Sequence, residues 1–286
     1  MQKISPHLWF DKEAIEASEL YTSIFKDSRI RNTTTLHNTP SGSVDLVTIE
    51  LSGQEFRLIS AGPLFKFNPS ISFLVACKTK DEVDGLWKRL SERGTALMEL
   101  GEYPFSERYG WTQDRYGLSW QVMFAGEREI KQKITPTLMF VGDVCGKAEE
   151  AIQLYTSVFR RSKVGDILRE KEGIVKHAAF TLEGQDFAAM DSAREHKFAF
   201  NEAISFMVHC DTQEEIDHYW RKLSAVPGAE QCGWLKDKYG LSWQVVPSIL
   251  GEMLGDKDPK RIARVMEAVL KMKKFDIEAL KQAHEK

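Results

Sequence analysis

Cysteine is scarce in this 286-residue chain, and its four copies (Cys77, Cys145, Cys210 and Cys232) form neither a C-x-x-C pair nor a zinc-ligand spacing. A disulfide scaffold, a zinc ribbon and a dithiol redox centre are therefore not expected. Cys77 and Cys210 lie inside apolar runs, where a thiol is usually inert packing, and a reduced cytoplasmic setting is the natural reading. Long apolar runs are missing as well. Asp11, Lys12 and Glu13 break the first one before signal-peptide length, and no later one approaches a membrane span. A net charge of −3 and a pI near 6.2 give no basic footprint for nucleic acid or an anionic membrane. Neither a G-x-G-x-x-G turn nor a G-x-S-x-G elbow occurs, so no dinucleotide-type cofactor loop and no hydrolase nucleophile is announced. What is present is a globular composition, 42% apolar and 28% charged.

The chain repeats itself. KISPHLWF (3–10) returns as KITPTLMF (133–140), LYTSIF (20–25) as LYTSVF (154–159), LSGQEF (51–56) as LEGQDF (182–187), and ISFLVACKT (71–79) as ISFMVHCDT (204–212). GWTQDRYGLSWQV (110–122) returns as GWLKDKYGLSWQV (233–245) with ten of thirteen residues identical. Tryptophans pair across the copies: Trp87 with Trp220, Trp111 with Trp234, Trp120 with Trp243. A period this long marks a duplicated domain and not a solenoid. The expected domains are residues 1–126 and 133–247, joined by a polar linker from Gly126 to Gln132 and followed by a helical tail, 248–286.

Within each copy the pattern predicts strand, helix and three strands, twice over. In the first copy a strand at 4–10 precedes a helix near 13–25 that buries Ala17, Leu20, Tyr21, Ile24 and Phe25. Strands near 29–37, 44–51 and 55–60 follow, with Ser52-Gly53-Gln54 as a hairpin turn. The second unit has a strand at 71–77, a helix at 81–92 and strands near 95–99, 109–114 and 118–124. The second copy predicts helices at 147–159 and 213–224. In the tail, Asp258-Pro259 is a helix start, ahead of an apolar stripe of Ile262, Val265, Met266, Val269 and Leu270. A second short helix is expected from Asp276, with Ile277 and Leu280 inward.

These motifs resemble the PhnB-like branch of the glyoxalase (vicinal oxygen chelate) superfamily, often labelled 3-demethylubiquinone-9 3-methyltransferase. The resemblance rests on KITPTLMF, AEEAIQLYTSVF (148–159), FNEAISFMVHCDTQEEIDHYWRKL (200–223), CGWLKDKYGLSWQVVP (232–247) and the tail. It implies an α+β fold: tandem glyoxalase-like domains, each a doubled β-α-β-β-β unit curled into a mainly antiparallel half-barrel with a ligand on its concave face. It also implies that single domains of the group pair, so either a homodimer or an intramolecular pairing of the two domains is expected.

Metal-dependent members of the superfamily draw ligands from three strands, usually two histidines and a glutamate. The matching positions are His7, Ser70 and Gln121 in the first domain, and Thr137, Ala203 and Gln244 in the second. One histidine and neutral side chains make a poor divalent-metal site, so no metal is expected, His7 with Gln121 being the one alternative. Alternation in LSWQV turns Ser119 and Gln121 away from the helices, and in SPHLWF it turns His7 and Trp9 the same way. The expected cavity wall is His7, Trp9, Ser70, Gln121, Thr137, Met139, Ser205 and Gln244. His177 and His209 are further rim candidates, and Glu55 and Asp186 are matched acids at a turn edge. Trp111, Trp120, Trp234 and Trp243 read first as packing. Three functions stay open: a metal-free small-molecule-binding protein, a divalent-metal lyase or dioxygenase, and an interaction role. Methyl transfer, which the family label suggests, lacks an S-adenosylmethionine motif.

Overall fold

A threonine with a glutamate three residues later starts the second helix of each repeat. Thr79 Oγ1 accepts the Glu82 amide (3.1 Å) while the Glu82 carboxylate accepts the Lys78 amide (2.9 Å). Thr212 and Glu215 repeat this at 3.3 and 2.8 Å. Such reciprocal capping satisfies amides that the first turn leaves orphaned, and it fixes where α2 (Lys80–Leu90) and α4 (Gln213–Leu223) begin.

The computed structural model describes residues 2–39, 42–170 and 173–286. They form two units: residues up to Leu8 together with Ile204–Lys286, and Trp9–Ala203. Each repeat contributes to both.

The larger unit holds an eight-stranded sheet in the order β10-β11-β12-β9-β5-β8-β7-β6. Its first-repeat strands are β5 (Ile71–Cys77), β6 (Thr95–Tyr103), β7 (Ser106–Gln113) and β8 (Ser119–Phe124). Its second-repeat strands are β9 (Ile134–Val141), β10 (Lys163–Arg169), β11 (Val175–Leu182) and β12 (Gln185–Ser192). The repeats meet at the centre, where β5 runs antiparallel to β9 with Ser72 opposite Thr137. Most pairs are antiparallel, whereas β5–β8 and β9–β12 are parallel. α2 and α3 (Ala148–Val158) pack on this sheet, and the alternate residues Phe73, Trp120, Leu138 and Phe180 are buried on one of its faces. The same unit carries the meander β2 (Arg29–Thr39), β3 (Gly42–Leu51) and β4 (Gln54–Ser60), with α1 (Ala14–Ile24) against it. The Ser52-Gly53 turn (φ +48° and +83°) has its counterpart at Glu183-Gly184 (+52° and +80°), the left-handed pair that a two-residue hairpin demands.

In the smaller unit four strands run β14-β15-β13-β1: β14 (Trp234–Lys236), β15 (Ser242–Pro247), β13 (Ile204–Cys210) and the first residues of β1 (Ile4–Phe10). Once more a first-repeat strand, β1, lies antiparallel to a second-repeat strand, β13. α4 packs on these strands. The tail forms α5 (Leu250–Leu254), α6 (Pro259–Lys271) and α7 (Ile277–Glu285), with Asp258 and Asp276 capping the last two. Val265, Val269, Ile277 and Leu280 are buried as expected, while Leu270 stays exposed. Phe275 presses its ring onto Gly233, leaving no room for a Cβ.

The expected α+β tandem is thus present, with mainly antiparallel sheets that stay open and do not close into barrels. Strands of both repeats share each sheet. Alternation fixes which face a strand buries, but it does not name the strand's neighbour.

Candidate functional site

A buried aspartate sets the last long strand of each repeat in place. Asp114 Oδ1 accepts the amides of Tyr116 (2.9 Å) and Leu118 (3.0 Å), and Oδ2 accepts Trp120 Nε1 (2.9 Å) and the Tyr21 hydroxyl (2.7 Å). Asp237 does the same for Tyr239, Leu241 and Trp243 at 2.9, 3.1 and 3.0 Å. Burial pushes the Asp114 carboxyl up while these four hydrogen bonds pull it down, and burial prevails. With Trp120 and Trp243 tied inward in this way, Gln121 and Gln244 must face the other side of their sheets.

In the larger unit that face reads, strand by strand, Gln113–Ser119–Ser72–Thr137 in one register row and Trp111–Gln121–Leu74–Thr135 in the next. The polar groups close on one another. Gln121 Nε2 donates to Ser72 Oγ (2.7 Å), the Tyr109 hydroxyl donates to Gln121 Oε1 (2.7 Å), and Trp111 Nε1 donates to Ser119 Oγ (2.7 Å). Burial pushes the Tyr109 phenol well up, so it stays a neutral donor. Its ring meets Phe105 at 4.9 Å, and Phe105 lines a cavity of about 380 Å³ with Tyr103, Phe124 and Arg128.

In the smaller unit the equivalent rows are Lys236–Ser242–Ser205–His7 and Trp234–Gln244–Met207–Ser5. Gln244 Nε2 donates to Ser205 Oγ (2.9 Å), and the Trp234 ring meets His7 edge-on at 5.4 Å. Ser242 Oγ is buried and, among the described residues, has no hydrogen-bond partner.

His7, Ser205 and Gln244 therefore come together, while Gln121 and Thr137 share the other face in neighbouring rows, each beside Ser72. The expected grouping of His7 with Ser70 and Gln121 is not the one the strands form, because β1 pairs with β13 of the other repeat. The serine that holds Gln121 is Ser72, two residues beyond Ser70; the Ser70 carbonyl instead accepts the Met139 amide (2.8 Å). Met139 is buried beside Met190, and Trp9 donates its indole N–H to the Gly62 carbonyl (2.8 Å) in a separate cavity of about 350 Å³ lined by Phe65 and Tyr116. His209 Nε2 lies 3.1 Å from Ser5 Oγ, and the accessible His177 is pushed down by desolvation and by Arg128. The Glu55 carboxylate is held by Arg57 (2.8 Å), and Gln132 brackets the Asp186 backbone at 2.8 and 3.0 Å. Burial pushes the thiols of Cys77 and Cys210 up to about 12, as inert packing requires. Tyr109, Ser72, Ser242 and Lys236 were not singled out by the sequence, although the register of LSWQV against WLK contains the signal for Ser242 and Lys236.

The two faces offer Thr137, Ser72 and Gln121, and His7, Ser205 and Gln244. Neutral hydroxyls and amides already bonded to each other are weak donors to a divalent cation. No cluster of three His, Cys, Asp or Glu side chains able to hold a metal occurs among the described residues. This donor set does not fit a divalent metal centre. Nor is any helix of the described residues long and apolar enough to cross a membrane.

No curated protein matches the chain. Among solved structures, the PhnB protein of Bacillus cereus, whose description names 3-demethylubiquinone-9 3-methyltransferase, is 40% identical over 43% of this chain and 100% of its own, with a TM-score of 0.41. Glyoxalase I of Zea mays is 11% identical over 89% of this chain and 97% of its own, with a TM-score of 0.56, a likeness of fold alone. The family model described as 3-demethylubiquinone-9 3-methyltransferase matches twice, over residues 2–123 and 132–246, and the chain belongs to that family.

Proposed function

We propose that this protein binds a small organic molecule on the hydroxyl- and amide-lined faces of its sheets, without a metal. The observation that carries the reading is the pair of hydrogen bonds Gln121–Ser72 and Gln244–Ser205. Neutral hydroxyl and amide groups of this kind orient an organic ligand and are weak donors to a divalent cation. Methyl transfer, named in the family description, finds little support. The chain turns from β1 into α1 through Asp11-Lys12-Glu13 with no glycine, and the sheets lack the parallel switch point at which such cofactors sit. The second reading is a divalent-metal lyase or dioxygenase, for which the sequence offers His7 with Gln121.

Elemental analysis and native mass spectrometry of protein purified without chelator separate the two. An organic ligand without metal supports binding, and His7→Ala should then weaken that ligand about 2- to 13-fold, the loss of one neutral hydrogen bond. Stoichiometric metal that disappears in His7→Ala would overturn the proposal. For assembly, we propose that the two repeats supply each other's strand partners within one chain. Light scattering giving a monomer fits that reading, and an obligate dimer contradicts it.

A further inference from the structure

The chain contains its own control experiment, because two equivalent faces are built from equivalent rows. On the larger unit's face the central polar ends are taken up internally: Tyr109 fills Gln121 Oε1, Trp111 fills Ser119 Oγ, and Ser72 fills Gln121 Nε2. On the smaller unit's face the tyrosine is replaced by Cys232, which is engaged with the tail through the Val269 carbonyl (3.4 Å). Gln244 then makes only its bond to Ser205 among the described residues, and Ser242 Oγ, 0% exposed, is left with no hydrogen bond. A buried hydroxyl without a partner costs free energy and calls for one from outside. The charge differs as well. Gln113 and Thr137 in one row correspond to Lys236 and His7 in the other, and no carboxylate stands in either row of the smaller unit.

Building on the small-molecule reading above, we propose that the Lys236–Ser242–Ser205–His7 face is the ligand site and that its ligand presents a carboxylate. Ser242 Oγ–H donates to the carboxylate, Lys236 supplies charge, and Trp234 with His7, ring edge to ring face, gives an aromatic border. The amide of Gln244, not locked by a tyrosine, turns over to donate its N–H₂ to an anion while accepting from Ser205. Gln121 lacks that freedom, and its face stays closed on itself.

Titrating the full chain with benzoate, benzamide and benzylamine, followed through the indole N–H resonances, tests this. Benzoate should shift Trp234 and leave Trp111 in place, and Ser242→Ala and Lys236→Gln should each weaken it about tenfold. Melting temperatures of both variants, measured alongside, show that they remain folded. Benzamide binding as tightly as benzoate, Trp111 moving as far as Trp234, no probe moving Trp234, or unchanged affinity in Ser242→Ala would each overturn the proposal. A co-purifying ligand found against Gln121 would sink this inference and leave the metal-free binding reading standing. Metal bound by His7 would sink that reading itself.

Discussion

Lys133 Nζ of the second repeat lies 2.7 Å from Glu82 Oε1 of the first, and Lys3 of the first repeat stands 2.8 Å from Glu215 of the second in the same relation. Each pair ties the opening strand of one repeat to the capped helix of the other. Burial pushes both carboxyls up, but the ammonium and the backbone amide at each helix start outweigh it, leaving both below the ordinary 4.5.

Because the folded-state value is depressed, the stability each glutamate adds is present above about pH 4.5 and is lost as pH falls through the folded value. Glu82→Gln and Glu215→Gln should flatten the acid limb of melting temperature against pH. The cost near neutral pH should be about 1 kcal/mol or less, since the pairs are partly exposed. Calorimetry from about pH 7 to about pH 3 gives the comparison. Profiles parallel to that of the unmodified chain would show that the pairs contribute nothing.

Tyr21→Phe and Asp114→Asn act on one hydrogen-bonded hub. Asp114→Asn should destabilise by about 3 kcal/mol or more, because an amide cannot accept all four donors with two acceptor-only oxygens. Tyr21→Phe should cost about 1–3 kcal/mol. Denaturant unfolding of both singles and the double should give strong coupling. Additive losses would mean that the Tyr21 bond is incidental.

Ser119 and Ser242 are equivalent in sequence and opposite in expected effect. Ser119→Ala strands the Trp111 indole N–H and should cost about 1 kcal/mol. Ser242→Ala removes a buried hydroxyl with no partner, so it should leave the free protein as stable or make it more stable by about 1 kcal/mol. Urea midpoints of ligand-free protein decide the signs, and a loss in Ser242→Ala as large as in Ser119→Ala would contradict the asymmetry.

Phe275 is 1% exposed against Gly233. Phe275→Ala should therefore cost about 3–5 kcal/mol. It should do so without changing the mass seen in light scattering, because the tail packs within its own unit. A stable variant with altered mass would instead make the tail an assembly element.

Much of this was legible in the sequence. The repeat, the helices, the inward Trp120 and Trp243, the outward Gln121 and Gln244, and the Asp258 and Asp276 caps all follow from local periodicity and capping chemistry. The partners of His7 were not legible. A strand's pattern says that His7 faces away from the helix, but only the pairing of β1 with β13 puts Ser205 and Gln244 beside it. Trp111 and Trp234 read as packing because an indole gives no sequence sign of which neighbour its N–H will meet. In the fold one meets Ser119 and the other turns its ring to His7. Asp114 and Asp237 were not singled out, although D-x-Y-G-L-S-W carries the two amides and the indole that each binds, the Tyr21 hydroxyl alone coming from elsewhere.

The sharing of each sheet between repeats also bears on how such a protein can change over generations. In an assembly of two identical chains, one codon sets the same residue at both symmetric positions, so neither face can be altered alone. Once both copies lie in one gene, the codons for Thr137 and His7, Gln113 and Lys236, and Tyr109 and Cys232 mutate independently. Every inter-repeat strand pairing survives such drift, because backbone hydrogen bonds do not depend on side-chain identity. One face can then serve as fixed scaffolding while its twin explores new chemistry.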